Sequence, residues 1–318
     1  MNKFAALYAF SEAASENALK RLRRLSAMNP DITFFPVVGL RQFFYLPMIV
    51  DGNMFGSVRK LPLAGQVSHA INWMASSAPG VFKLSEAINK KVVTFTSHNK
   101  LAELCARMDN EGVHTLYPDF TPMALWNLDH MILQWFNSSG ELYDFDYLIY
   151  YEFDIYTTKP LDTIYEKYTK SYDACFNDYE EATRNWHFYN FPLGSRWAAK
   201  RWLKRRMLPT TLYRSNFAGT LISRRCLERL KELEIDFSGA PYCQMEMRLP
   251  TVLTALGFRC GKLDFPFVRY RPAWPVKEIL ANEDAGIFHP VKELVPTETA
   301  VQRVLARASQ YRGLKNMK

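Results

Sequence analysis

Ten residues, Phe145-Asp146-Tyr147-Leu148-Ile149-Tyr150-Tyr151-Glu152-Phe153-Asp154, constrain this chain more than any other stretch. Their apolar middle is continuous, which describes a strand buried on both faces, and such strands belong to sheets covered by helices on each side. The run closes on two acids. Residues two apart at a strand end project to the same side, so Glu152 and Asp154 point together.

The neighbouring segments alternate in kind. Phe4 to Ala9 is a short apolar run. From Ser11 to Met28, Ala14, Leu19, Leu22 and Leu25 recur near helical spacing with Lys and Arg between them, Asn29-Pro30-Asp31 breaks the pattern, and Ile32 to Val38 reads as another buried strand. Val92 to Thr96 begins the same order again, with a helix from about Lys100 to Met108 and a strand at Val113 to Leu116. Ala124 to Phe136 predicts a helix that stops at Ser138-Ser139-Gly140. Further on, Phe217 to Ile222 predicts a strand, Ser223 opens a helix through Leu233, and Met245 to Leu256 predicts a helix ended by Gly257. Strands alternating with helices imply an α/β fold whose largely parallel sheet takes ligands at the C-terminal ends of its strands. Residues 42–90 lack a clean period and read as an irregular insertion in one domain spanning 1–318, with a helical tail from about 297.

Composition narrows the class. A chain of 318 residues, 48% hydrophobic, can bury one large core. No run approaches the roughly 20 apolar residues of a membrane span, and Glu12, Glu16, Lys20 and Arg24 interrupt the start of the chain, so a cytoplasmic location is expected. Five cysteines, widely spaced and without a Cys-x-x-Cys pair, read as reduced and buried. The net charge of +8 favours anionic partners without choosing among nucleotide diphosphates, nucleic acid and phospholipid. Walker loops, His-Glu-x-x-His and Gly-x-Ser-x-Gly are missing, which argues against kinases, zinc proteases and serine hydrolases.

Two carboxylates side by side repel each other unless a cation sits with them, and hard oxygen ligands suit Mg²⁺ or Mn²⁺. Such an ion would neutralise a diphosphate; the plainer reading is a surface turn before Lys159-Pro160. Here the sequence resembles the GT-A fold glycosyltransferases, in which a strand ends in a DxD-type motif, matched by Glu152-Phe153-Asp154 with Glu in the first place. Three later segments resemble the same family in order: Asn216-Phe217-Ala218-Gly219-Thr220-Leu221-Ile222-Ser223-Arg224, Pro241-Tyr242-Cys243-Gln244-Met245-Glu246-Met247-Arg248-Leu249-Pro250, and Ile287-Phe288-His289-Pro290-Val291-Lys292. The resemblance implies a Rossmann-like, mixed but mostly parallel sheet flanked by helices. It implies metal-dependent, inverting transfer of a sugar from a nucleotide-diphosphate donor to a hydroxyl of a glycan or lipid-linked acceptor. In that scheme Asp154 and His289 hold Mn²⁺ or Mg²⁺, Glu152 serves ribose or metal, and Gly219 lines the donor sugar. Lys292 or Arg248 assists the phosphates, and Glu246 is the base.

Ser195 to Leu208 reads as a basic amphipathic helix, with Ala198, Trp202, Leu203 and Met207 near one face. It could lie on an anionic membrane, or be a solvated cationic flank of the cleft. The alternative function is a basic membrane- or nucleic-acid-binding protein on a degenerate GT-A-like fold without transferase activity. Nucleic acid is not the expected partner.

Overall fold

Alternating side chains on two central strands build two separate cores. In the computed structural model, residues 2–11, 15–39, 128–186, 188–189, 195–235, 243–270 and 272–292 are described. On β1 (Phe4–Ser11) and β3 (Tyr147–Glu152), Ala5, Leu7, Ala9, Leu148 and Tyr150 face one apolar layer. Phe4, Ala6, Tyr8, Phe10, Tyr147, Ile149 and Tyr151 face the other, the period of two that a strand imposes.

The remaining strands of the main sheet are β2 (Thr33–Gly39), β5 (Ala174–Glu181), β6 (Tyr213–Ser223) and β7 (Cys260–Leu263), and the spatial order is β2-β1-β3-β6-β5-β7. β1 runs parallel to β2 and β3, and β5 runs parallel to β7. β6 is antiparallel to both of its neighbours, so five described strands share a direction and β6 opposes them. Two two-residue strands, β4 (Tyr156–Thr157) and β8 (Ile287–Phe288), pair antiparallel as a separate two-stranded sheet.

Helices cover both faces, giving the expected α/β class with a mixed, mostly parallel sheet. The layer containing Leu7 and Tyr150 packs under α2 (Leu128–Ser138), α4 (Ser195–Arg205), α5 (Arg224–Glu232) and α6 (Met245–Ala255). The layer containing Tyr8 and Tyr151 packs under α1 (Ser15–Met28) and α3 (Leu161–Thr169). Buried phenols need partners, and these have them: Tyr8 donates to the Ala18 carbonyl at 2.8 Å, Tyr151 to Ile155 at 3.1 Å and Tyr165 to Gly219 at 2.8 Å. The last short helix is α7 (Val276–Ala281).

Where sequence and structure differ, local chemistry explains it. α3 begins directly after Pro160, in a stretch for which no element is predicted from the sequence, and α5 is capped by Ser223 Oγ accepting from the Cys226 amide as its sequence predicts. β5 carries Asp178 at φ 52° among register shifts, which obscures its period. α4 does not present the expected apolar face. Ala199, Trp202 and Leu203 are buried in the core, while Met207 lies beyond the helix end at φ 55°, 95% exposed. The elements expected at residues 92–116, the insertion at 42–90 and the tail from about 297 lie outside the described residues. Among the described residues no helix is long and apolar enough to cross a membrane.

α2 and α6 are joined by a buried ion pair. Arg248 Nε meets Asp129 Oδ2 at 2.7 Å and its second nitrogen meets Oδ1 at 2.5 Å, a bidentate fork. Removing one member strands the other charge in the core. Asp129→Ala should therefore cost about 3–5 kcal/mol in urea unfolding, and pairing Asp129→Leu with Arg248→Met should restore most of it. A loss below about 1 kcal/mol, the scale of exposed pairs, would contradict burial of the pair.

Candidate metal and donor site

The acids stand where β3 ends. Phe153 still donates to the Ala9 carbonyl at 2.9 Å, holding the chain beside β1, and Ile155 turns back onto the Glu152 carbonyl at 2.9 Å. β4 follows at once and pairs with β8, so Tyr156 opposes Phe288 and the next residue, His289, arrives next to the acids. Val291 donates to the Asp154 carbonyl at 2.7 Å, and His289 donates its amide to Phe267 at 3.0 Å. A separation of more than a hundred residues is closed by backbone pairing.

Two arginines from α1 fasten this junction. Arg21 donates to the Phe153 carbonyl at 2.8 Å and to the Val291 carbonyl at 2.7 Å, bridging the acid-bearing turn and the histidine-bearing segment. Arg24 donates to the Thr157 carbonyl at 2.6 Å and lies 3.9 Å from the centre of the Tyr156 ring. Sequence reading passed over both. The signal for Arg21 was available, since it is three residues after Ala18 and four before Leu25, on the helix face that is buried.

Glu152, Asp154 and His289 each offer one ligand atom, and the three atoms lie within 4.8 Å of one another. His289 Nε2 is 3.5 Å from Glu152 Oε2 and 3.4 Å from Asp154 Oδ1. Its Nδ1 is 3.1 Å from the Arg269 carbonyl, an acceptor that fixes the proton on Nδ1 in the neutral ring and leaves Nε2 facing the carboxylates. Asp154 is 4% exposed; its Oδ2 accepts from Lys292, while Oδ1 is buried without a hydrogen bond among the described residues. Burial by itself would raise the Asp154 pKa, but His289 and Lys292 outweigh it and hold the carboxyl well below the usual range. Burial would likewise lower the pKa of His289, yet Asp154 and then Glu152 push it up to about 10. Two carboxylate oxygens, one of them without a donor, and one oriented imidazole nitrogen make a donor set that fits Mn²⁺.

Glu246 is also buried, in the first turn of α6. Its carboxylate accepts from the Phe217 amide at 3.3 Å and from Gln244 Nε2 at 3.1 Å. Burial pushes its pKa up to about 8 against the bonds from Tyr270 and Phe217, with the Glu152 charge adding to the rise. The single proton of the Tyr270 hydroxyl is shared between the Glu246 carboxylate and the Ser215 carbonyl, the latter at 3.0 Å. Pro250, four residues later, has no amide proton for the Glu246 carbonyl, and Ser215 Oγ supplies one at 3.2 Å.

The other sequence candidates fall in different surroundings. Lys292 reaches Asp154, whereas Arg248 is held by Asp129 and the Cys243 carbonyl. Gly219 adopts φ 70°, and a Cβ there would meet the Tyr165 hydroxyl at 2.7 Å, so its glycine character answers to the α3 packing.

No protein-family model matches the sequence, and no curated protein does. Among solved structures, the chain is similar to the galactosyltransferase LgtC in complex with donor and acceptor sugar analogs, at 12% identity over 97% of this chain and 95% of that one, TM-score 0.36. It is similar to core-mannan synthase A of Aspergillus fumigatus in an Mn/GDP form, at 10% identity over 98% and 85%, TM-score 0.39. It is also similar to the glycosyltransferase GlyE of Streptococcus pneumoniae, at 8% identity over 99% and 64%, TM-score 0.38. At this level of likeness, only the side chains of the site speak to its chemistry.

The raised pKa of Glu246 has a sign for stability. A carboxyl whose folded pKa exceeds its unfolded value of 4.5 favours the fold fully below pH 4.5, and that contribution is lost as pH rises through about 8. Glu246→Gln, which cannot ionise, should therefore gain on the wild type across pH 5 to 8, on the order of 1 kcal/mol per pH unit. Urea midpoints at several pH values measure the difference, and parallel curves would refute burial of an ionisable Glu246.

Proposed function

We propose that the chain is a single-domain, metal-dependent glycosyltransferase of the GT-A type that moves a sugar from a nucleotide-diphosphate donor to an acceptor hydroxyl. The observation that carries this reading is the convergence of Glu152, Asp154 and His289 within 4.8 Å at the C-terminal end of a parallel strand. Ligands of α/β sheets bind at such ends. A divalent cation bound there, Mn²⁺ in preference to Mg²⁺ because one ligand is nitrogen, would supply charge stabilisation to the departing diphosphate.

The residues divide the remaining work. Asp154 and His289 hold the ion, and Glu152 supports it or the donor ribose. Lys292 has a side chain 60% exposed, so its ammonium can follow a phosphate while the carboxylate it pairs with stays fixed. Gly219 keeps β6 in the path that lines the donor. Arg248 is left out of the donor contacts, because its guanidinium is engaged by Asp129. Glu246 is the base for the acceptor hydroxyl if transfer inverts the anomeric centre, and its carboxylate form becomes the major one above about pH 8. A glycan or lipid-linked acceptor and a cytoplasmic location go with this reading.

Thermal melting with UDP-, GDP-, CMP- and dTDP-sugars tests it. One donor should stabilise the wild type only when Mn²⁺ is present, by about 2.7 kcal/mol at a hundred times its Kd. Asp154→Asn should still fold, melting below the wild type without ligand because the charge that His289 and Lys292 face is gone, and should lose the metal-dependent gain. Release of free nucleotide and sugar transfer then distinguish turnover from binding alone. A wild type that ignores every donor with Mn²⁺ would defeat the proposal.

A further inference from the structure

The outward side of α4 is a cationic face built around an exposed indole. At about 100° per residue, Ala199, Trp202 and Leu203 share one side of this helix, and all three are buried in the core. Trp197, Arg201 and Lys204 lie within about 60° of each other on the opposite side, flanked by Lys200 and Arg205. Those five are exposed, Trp197 by 58%. The Arg196 guanidinium stacks 4.2 Å from the centre of the Trp197 ring. From Ser195 to Tyr213 the sequence has no acid, and among the described residues none pairs with Lys200, Arg201, Lys204 or Arg205. Met207 stands just past the helix end, 95% exposed.

We propose that this face of α4 docks the protein on an anionic lipid surface. The core-facing apolar side of the helix is occupied, so the contact is made by the side opposite. Lys and Arg there meet headgroup phosphates, while the indole of Trp197, in the first turn, takes the interfacial level that tryptophan favours and Met207, past the far end of the helix, offers a second apolar group. A nucleic-acid backbone would engage the same cations but leave the thioether of Met207 in water, whereas a bilayer interface accepts both apolar groups. Docking does not depend on the transferase reading. It adds to it, because α4 packs in the same core layer as α6, whose first turn carries Glu246, so a lipid-borne acceptor would be met near that helix.

Sedimentation of the full chain with vesicles tests the proposal, using phosphatidylcholine alone and phosphatidylcholine with one quarter phosphatidylglycerol. The wild type should bind only the anionic vesicles. Lys200→Glu/Arg201→Glu/Lys204→Glu should weaken binding at least tenfold and Trp197→Ala several-fold, with both variants melting like the wild type. Full binding by the triple variant would place the contact elsewhere. No binding by the wild type would overturn the proposal outright. A wild type that leaves vesicles for duplex DNA at equal salt, through the same residues, would assign the face to nucleic acid. A wild type that fails to bind vesicles yet keeps its donor and Mn²⁺ stabilisation would reject docking alone.

Discussion

A carboxylate removed from water at the end of β3 is the constraint around which this part of the molecule is arranged. Burial opposes the charge on Asp154, so the charge persists only because His289 and Lys292 stand against it. Neither cation is close in sequence. Both are delivered by the 287–292 segment, which is held by the β4–β8 pairing, by the Val291 amide on the Asp154 carbonyl, and by Arg21 across the two strands of chain. The fold thereby brings together groups whose mutual charges need one another, and a divalent cation would answer the same electrostatic demand with its own charge.

The second carboxyl of interest is treated in the opposite way. Among the described residues no cation pairs with Glu246. It has amides, a glutamine and a tyrosine, and burial raises its pKa where that of Asp154 is lowered. Environments that push two carboxyls apart in this manner suit one to hold positive charge and the other to exchange a proton near neutral pH. Pro250 and Ser215 contribute to the same end by rerouting the hydrogen bond of the Glu246 carbonyl, fixing the first turn of α6 against β6.

Much of this could be read before the fold was known, and the reasons for the rest are physical. The β3 strand and its two acids follow from a continuous apolar run and a period of two, and His289 follows from the family resemblance of the 287–292 segment. Arg248 could not be judged from sequence, because the acid that engages it lies 119 residues earlier on α2. Arg21 sits on the buried face of α1, where an arginine is rare unless partnered, and its partners, the Phe153 and Val291 carbonyls, come from distant parts of the sequence. The face of α4 was displaced by one residue, from Ala198 to Ala199, since the cations crowd every turn and blur the apolar stripe. β5 was lost in its bulge.

The central claim is that Asp154 and His289 bind one metal ion together. A crystal structure with Mn²⁺ and a nucleotide-diphosphate sugar, with the ion located by its anomalous scattering, tests this directly. The account predicts manganese roughly 2.0–2.3 Å from His289 Nε2, in line with other first-row metal–nitrogen bonds, with an Asp154 oxygen in the same shell. Manganese bound elsewhere, with His289 still paired to Asp154 and no ion between them, would contradict it.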